Sequence, residues 1–226
     1  MQDPLLTIIV PVYNEERTIA KVMERIVATN REAEILYVDD GSSDTSLAIL
    51  RKNARAEDSV LTKVNGGKGS AIRHAIPSAK GLFTVIQDAD LEYDPKEIAL
   101  LLAEAKQHPG STVFGSRFRR ANPNLYKRYL LGNKVVTFIL NLLFRGKITD
   151  SYTCYKLFPT AILRTLPLSA VGFEIEAELC AYTLQKGIPI IEVPISYFPR
   201  GLQEGKKIRF RDALKGIATM VKIRFS

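Results

Sequence analysis

Leu5 to Val10 (LLTIIV) is an unbroken apolar, β-branched run, as expected of a strand buried on both faces of a parallel sheet. Pro11 is expected to end it. Ile19, Val22, Met23, Ile26 and Val27 then recur at helical spacing and predict an amphipathic helix. The alternation repeats: Ile35 to Val38 reads as a second strand, stopped by Asp39-Asp40-Gly41-Ser42-Ser43-Asp44. Ser43 or Asp44 can cap the following helix, which carries Leu47, Ile49 and Leu50. Val60 to Lys63 is a short third strand, and Asn65-Gly66-Gly67-Lys68-Gly69 opens a helix near Ala71 to Ala79. Phe83 to Ile86 is a fourth strand, followed at once by Asp88-Ala89-Asp90. Pro95 starts a helix through Leu102, and Ser111 to Phe114 makes a fifth strand.

This alternation predicts an α/β fold, a mostly parallel, doubly wound sheet with helices on both faces. Such sheets take ligands outside the C-terminal ends of their strands. The polar insertions Tyr13-Asn14-Glu15, Asp39-Asp40, Asp88/Asp90 and Gly115-Ser116-Arg117 all stand at those ends and are expected to converge on one rim. Beyond Arg117 the pattern changes. Leu125 to Phe144 reads as one or two amphipathic helices interrupted near Gly132-Asn133. Tyr155 to Phe158 is strand-like, Glu174 to Gln185 helical, Ile190 to Tyr197 a strand, and Phe210 to Phe225 a basic helix.

The formal net charge of +8 is unevenly placed. Arg117, Arg119, Arg120, Lys127, Arg128, Lys134, Arg145 and Lys147 occur with no acidic residue among them, and a second basic stretch runs from Arg200 to Arg224. A solvated face is the plain explanation; a phosphate-bearing partner (anionic lipid, nucleotide or nucleic acid) is the functional one. Nucleic acid explains the cations but not the carboxylates, and is set aside. The longest apolar candidate, Val135 to Phe144, is about half the length a membrane-spanning helix needs, and the N-terminus lacks a basic start with a long apolar run. The expectation is a chain that does not cross a bilayer; whether it lies on one is a separate question. Cys154 and Cys180 stand apart from any His/Cys cluster and give no zinc site or disulfide framework.

Two carboxylates at i and i+2 after a buried strand can face one side of a turn and hold a hard cation, Mg²⁺ or Mn²⁺. A lone Asp-x-Asp occurs on many surface loops, but Asp88 and Asp90 stand at a strand end opposite the Asp39-Asp40 turn. Glu92 is either a further ligand or a turn cap. Lys68 either sits in a tight glycine turn or reaches a donor phosphate.

Pro11-Val-Tyr-Asn-Glu15, Val38-Asp-Asp-Gly-Ser-Ser-Asp44, Gly67-Lys-Gly69, Asp88-Ala-Asp90 and Gly115-Ser-Arg117, in this order, resemble family 2 glycosyltransferases of the GT-A fold. The second half carries Asp150, Tyr155-Lys-Leu-Phe158, Phe173-Glu-Ile-Glu176, Glu192-Val-Pro-Ile-Ser-Tyr197 and Arg200 with Gly205-Lys-Lys207. These are similar to polyprenyl-phosphate sugar synthases of the dolichyl-phosphate mannose or glucose type. The resemblance implies a single GT-A domain over 1–226, with a nucleotide-sugar half at 1–117 and an acceptor half of amphipathic basic helices at 118–226. It implies inverting transfer of a hexose from GDP-mannose or UDP-glucose to a polyprenyl phosphate at an anionic membrane surface, with room for a separate membrane subunit. Pro11, Tyr13, Glu15, Val38 and Asp40 match positions that hold base and ribose. Asp88, the small Ala89 and Asp90 match the diphosphate–metal site, with Glu92 where Gln is often found. Arg117, Arg200 and Lys206 match cations that neutralise donor and acceptor phosphates. Glu174 stands where some mannose synthases carry Lys.

Alternatives remain open at this point. Transfer to a hydroxyl would need a base, for which Glu174, Glu176 and Asp150 are the candidates; Asp150 could instead orient Arg117. Of Glu174 and Glu176, one residue apart, at most one can face the site. An inactive membrane-peripheral subunit is disfavoured by the intact Asp88 and Asp90. The chain has no tryptophan, so the QxxRW segment of processive polysaccharide synthases is impossible, and the GxGxR loop of nucleotidyltransferases is absent. Leu130, Leu131, Val135, Phe138, Ile139, Leu142 and Leu143 can form an apolar stripe beside Lys127, Arg128, Lys134, Arg145 and Lys147. Such a helix lies in a lipid interface, packs into the core or makes a dimer contact.

Overall fold

The computed structural model describes residues 3–122, 127–199 and 210–226. Its strands are β1 (Leu6–Val12), β2 (Glu34–Asp39), β3 (Ser59–Thr62), β4 (Phe83–Ile86), β5 (Thr112–Ser116), β6 (Lys156–Pro159) and β7 (Ile190–Pro194). Its helices are α1 (Ile19–Thr29), α2 (Ser46–Asn53), α3 (Lys68–Ala75), α4 (Ile98–Gln107), α5 (Lys127–Phe144), α6 (Thr160–Thr165), α7 (Ile175–Gln185) and α8 (Phe210–Phe225). The strands form one seven-stranded sheet in the order β3-β2-β1-β4-β6-β5-β7. All pairings are parallel except those of β6, which runs against β4 and β5. The expected mostly parallel α/β sheet is therefore present. The chain leaves β1 to build β2 and β3 on one side, then returns to place β4 on the other, so the crevice of the topological switch lies at the C-terminal ends of β1 and β4.

Pro11 does not end β1. It pairs opposite Val38, and Val12 pairs opposite Asp39. Along a parallel strand alternate residues bond to alternate neighbours: the Ile9 carbonyl accepts from Gln87 on the β4 side, the Val12 carbonyl from Asp40 on the β2 side. Pro11 thus turns its missing N–H toward β4 beyond the last paired residue there, Ile86, and no ladder bond is lost. β7 stops at Pro194 rather than Tyr197, because side chains replace the ladder: Ser196 N–H donates to the Glu97 carboxylate and Tyr197 N–H to Asn122 Oδ1. The expected break near Gly132-Asn133 is also absent, and α5 is continuous. Asn133 instead donates from Nδ2 to Asp150 and accepts from the Thr137 hydroxyl. Helix α6 is too short to show an apolar period and was not anticipated.

Helices α5, α7 and α8 pack on one another. α7 is buried almost all round, including Glu176 and Glu178. α5 divides cleanly: Val136 and Leu140 are buried, whereas Leu131, Val135, Phe138 (67% exposed) and Leu142 (70% exposed) line its outer face. Leu214, Val221 and Phe225 are exposed on α8. The proposed stripe is therefore largely a surface feature, with Ile139 and Leu143 only half-buried; Leu130 lies among residues whose side chains are outside the description. Truncating the inner face should cost far more than truncating the outer one. Leu140→Ala should lose about 2–5 kcal/mol of stability and Phe138→Ala no more than about 0.5 kcal/mol, read by denaturant unfolding. Equal losses would contradict this orientation.

Candidate active site

At the end of β1 the chain turns through Asn14, whose φ of 51° is left-handed, a conformation asparagine tolerates better than most residues. The turn is stapled to the loop after β2: Asn14 N–H donates to Ser42 Oγ at 3.0 Å and Ser43 N–H to Asn14 Oδ1 at 2.8 Å. Glu15 N–H donates to Ser46 Oγ at 2.8 Å. The Thr18 hydroxyl is shared between the Glu15 carboxylate (2.9 Å) and the Ala89 carbonyl (2.7 Å), joining this turn to the one after β4.

Asp40 lines the cleft, but its carboxylate is engaged by the glycine loop. It accepts from Lys63 Nζ at 2.6 Å, from Gly66 N–H at 3.0 Å and from Gly67 N–H at 2.6 Å. Gly67 has φ +91°, and a Cβ there would stand 2.6 Å from the Val171 carbonyl oxygen, so glycine is required both for the turn and for the close approach. Val38 is wholly buried in β2 and does not line the cleft.

After β4, Asp88 and Asp90 reach the cleft, and Leu91 adopts φ 63°. This conformation strains a leucine. It folds the chain back so that Glu92 N–H donates to Asp90 Oδ1 at 3.1 Å, while the Glu92 carboxylate accepts from Tyr197 OH at 2.6 Å. Among the described residues no three His, Cys, Asp or Glu side chains converge as a ready metal cage. A cation already stands beside Asp88, however. The Lys68 ammonium is 2.7 Å from Asp88 Oδ1 and 2.8 Å from Glu176 Oε1. The other Glu176 oxygen accepts from Lys156, which is wholly buried and also donates to the Thr153 carbonyl. Burial alone would depress the Lys68 pKa; Asp88 and Glu176 outweigh it and hold it well above the usual lysine value.

At the end of β5, Arg117 grips Asp150 through Nε at 2.7 Å, Nη2 at 2.8 Å and its own N–H at 3.1 Å. Its guanidinium carbon lies 5.0 Å from the Tyr197 ring centroid, and among the described residues Nη1 makes no hydrogen bond. Asp150 is wholly buried and also accepts from Asn133 at 2.9 Å. Burial would raise its pKa, but Arg117 more than offsets this and holds the carboxyl below the usual aspartate value. Glu192 in turn accepts the N–H groups of Thr149 and Asp150. Asp150 is thus the residue that orients Arg117. Glu174 faces away, accepting from Val171 and Gly172 N–H, while Glu176 lines the cleft. Only one of the two faces the site, as expected. Arg200 and Lys206 lie outside the described residues.

Pro11, Tyr13, Glu15, Asp40, Lys68, Asp88, Ala89, Asp90, Glu92 and Arg117 therefore share one cleft of about 590 Å³. Tyr93, Tyr152 and Phe173 also line it, unforeseen because an aromatic residue gives the same signal on a cleft wall as in a core. Residues 7–166 match the model of glycosyl transferase family 2. The chain belongs to that family. Over 205 residues this family 2 glycosyltransferase is 27% identical to the low-salt glycan biosynthesis hexosyltransferase Agl6 of Haloferax volcanii, covering 87% of this chain and 48% of that protein. It is 34% identical over 131 residues to undecaprenyl-phosphate 4-deoxy-4-formamido-L-arabinose transferase of Proteus mirabilis, covering 54% and 40%. The chain spans about half the length of the curated relatives it matches. Glucosyl-3-phosphoglycerate synthase from Mycobacterium tuberculosis, solved with Mn²⁺, UDP and phosphoglyceric acid, aligns with a TM-score of 0.76 over 98% of this chain and 78% of that one. At 20% identity this is a likeness of fold, the GT-A arrangement.

In this glycosyltransferase the Arg117–Asp150 pair is open to a direct test. A carboxyl whose folded pKa is depressed contributes stability above its unfolded pKa and loses it as pH falls through the folded one. Asp150→Asn leaves Arg117 buried without a counter-charge, so it should cost about 3–5 kcal/mol at pH 7. That deficit should begin to shrink below about pH 4, where the unfolded wild-type carboxyl takes up a proton, and be lost as pH falls through the lower folded value. Denaturant titrations at neutral and acid pH measure it; a deficit independent of pH would contradict the assignment.

Proposed function

We propose that the chain moves a hexose, from GDP-mannose or UDP-glucose, onto a polyprenyl phosphate with inversion at the anomeric carbon. One observation carries this reading: every carboxylate that the sequence offered as a base is engaged elsewhere. Asp150 is spent on Arg117, Glu174 on the 171–172 turn, and Glu176 lies between Lys68 and Lys156. An acceptor hydroxyl would need a base. A lipid phosphate arrives ionised and needs only a cation to place it, and Arg117 presents one on the cleft wall. The Proteus mirabilis relative, whose name specifies an undecaprenyl-phosphate acceptor, supports the same choice.

In this reading residues 1–117 hold the donor, with Pro11, Tyr13 and Glu15 at base and ribose, and residues 118–226 hold the acceptor. The residues after β4 suit a hard divalent cation, since their donors are carboxylate oxygens and the Lys68 ammonium already stands in for a positive charge at Asp88. Asp88 and Asp90 would hold Mg²⁺ or Mn²⁺, with Glu92 beside them, and the bound cation would offset charge on the departing nucleoside diphosphate. Arg117, with Arg200 and Lys206, neutralises the remaining phosphate charge and aligns the acceptor oxygen opposite the leaving group.

The exposed apolar faces of α5 and α8 support work at a lipid surface. Lys134, Arg145, Lys147, Arg211, Lys215, Lys222 and Arg224 are exposed around them, and each basic residue near an anionic membrane adds about 1 kcal/mol of attraction. No helix among the described residues is long and apolar enough to cross a membrane. We read the chain as peripheral, on the cytoplasmic face.

Given labelled nucleotide sugars, the purified protein should glycosylate polyprenyl phosphate and leave the matching polyprenol untouched. Asp90→Ala should abolish transfer and Arg117→Ala lower it by more than about tenfold, and EDTA should silence the wild type until Mn²⁺ or Mg²⁺ is restored. Better turnover of free alcohols, or full activity in chelator, would contradict this reading. In a separate experiment the protein should pellet with anionic liposomes, less so at high salt. Replacing Phe138 and Leu142 by Asp should release it while nucleotide binding persists; unfolding of that variant would place the stripe in the core.

A further inference from the structure

Lys68, Glu176, Lys156 and Asp88 form a closed set of charges that the transfer reaction, as read above, leaves unexplained. Two carboxylates and two ammonium groups alternate, Asp88–Lys68–Glu176–Lys156, and sum to zero. The two lysines are not held alike. Lys156 is wholly buried and hydrogen-bonded to both Glu176 and the Thr153 carbonyl. Lys68 lines the cleft, and its contact with Glu176 lacks hydrogen-bond geometry: Oε1 of that buried carboxylate accepts no directional bond. Of the two lysines, Lys68 is the one with the cleft beside it. Its backbone is not free. Gly66 and Gly67 N–H are tied to Asp40, Gly69 N–H to the Gly172 carbonyl and Ser70 N–H to the Val171 carbonyl.

We propose that Lys68 is a resident counter-ion of Asp88 that yields this carboxylate to a divalent cation and swings onto the donor diphosphate, with Glu176, clamped from behind by Lys156, as the pivot. The proposal rests on the donor-site reading above. Its logic is electrostatic. An ammonium and a divalent cation cannot both sit against one carboxylate oxygen without strong repulsion, and the incoming diphosphate supplies the negative charge that Lys68 loses when it leaves Asp88. Glu176 retains a partner throughout, because Lys156 stays. In this scheme Lys68 suppresses cation binding in the absence of donor and strengthens donor binding in its presence. Cation and donor are thereby coupled, and the coupling must be reciprocal. Glu176 is a positioning residue: it acts through Lys68.

Binding measurements distinguish this from a structural role. Mn²⁺ affinity without nucleotide is read from the electron paramagnetic resonance signal of free Mn²⁺, and GDP and UDP affinities are measured by calorimetry at saturating Mn²⁺. Lys68→Met should bind Mn²⁺ about tenfold more tightly than wild type, since the competing charge is gone. The same variant should bind its preferred nucleoside diphosphate about tenfold more weakly. Glu176→Gln alone strands the buried Lys156 and can fail to fold, so the paired variant Lys156→Met/Glu176→Gln keeps the interior neutral. With its pivot gone, Lys68 leans wholly on Asp88, and Mn²⁺ should bind about threefold more weakly. Unchanged or weaker Mn²⁺ binding by Lys68→Met overturns the exchange, and wild-type Mn²⁺ binding by the paired variant overturns the role of Glu176. A wild-type protein that binds neither Mn²⁺ nor nucleoside diphosphate would bring down the donor-site reading itself, a result distinct from either.

Discussion

Glu176 lies between two ammonium groups, Lys156 behind it and Lys68 in front, and through Lys68 it reaches Asp88. These residues come from α7, β6, the start of α3 and the loop after β4, four elements far apart in the chain. Lys156 and Glu176 are shut off from water, so each is tolerable only while the other is present; removing one member of such a buried pair costs about 3–5 kcal/mol. The same constraint governs the other wall, where Arg117 and Asp150 compensate one another, and the glycine loop, where Asp40 gathers Lys63 and two backbone N–H groups. Paired charges thus line the cleft beside its aromatic and apolar residues.

That arrangement explains why strain gathers at the rim. Leu91 and Asn14 both adopt left-handed backbone at strand ends, where the chain must reverse within a residue or two to present carboxylates to one space. Side-chain contacts beneath hold these turns: the Thr18 hydroxyl reaches Ala89, and Glu174 just before α7 and Glu178 within it fasten residues 169–172, against which the glycine loop rests. Asp40, Glu92 and Arg117 are thereby oriented before any ligand enters.

The sheet was legible because its strands are nearly pure apolar runs and its helices keep a clear period. The rim was legible because polar insertions at the C-terminal ends of parallel strands have few structural reasons to exist. What the one-dimensional pattern could not carry was partnership. Nothing in Tyr155-Lys-Leu-Phe158 says that β6 inserts antiparallel between β4 and β5, and the lysine inside that run is intelligible only once Glu176 stands opposite it. Pro11 looked like a terminator because its missing N–H is local information, whereas the end of β4 that makes it harmless is not. Asp150, open to two roles from sequence, is engaged by a group 33 residues away, and Asp40, expected at base and ribose, by a backbone N–H 26 residues away.

In the reading proposed above, the engaged carboxylates and the cation on the cleft wall serve a chemistry without a general base. The pH dependence of turnover, measured with saturating nucleotide sugar and saturating polyprenyl phosphate, tests this most directly. The account predicts a flat profile between about pH 7 and 9, because a phosphate acceptor bound by cations has no proton left to lose. A tenfold rise in turnover per pH unit across that range, the mark of a group that must be deprotonated before attack, would contradict it.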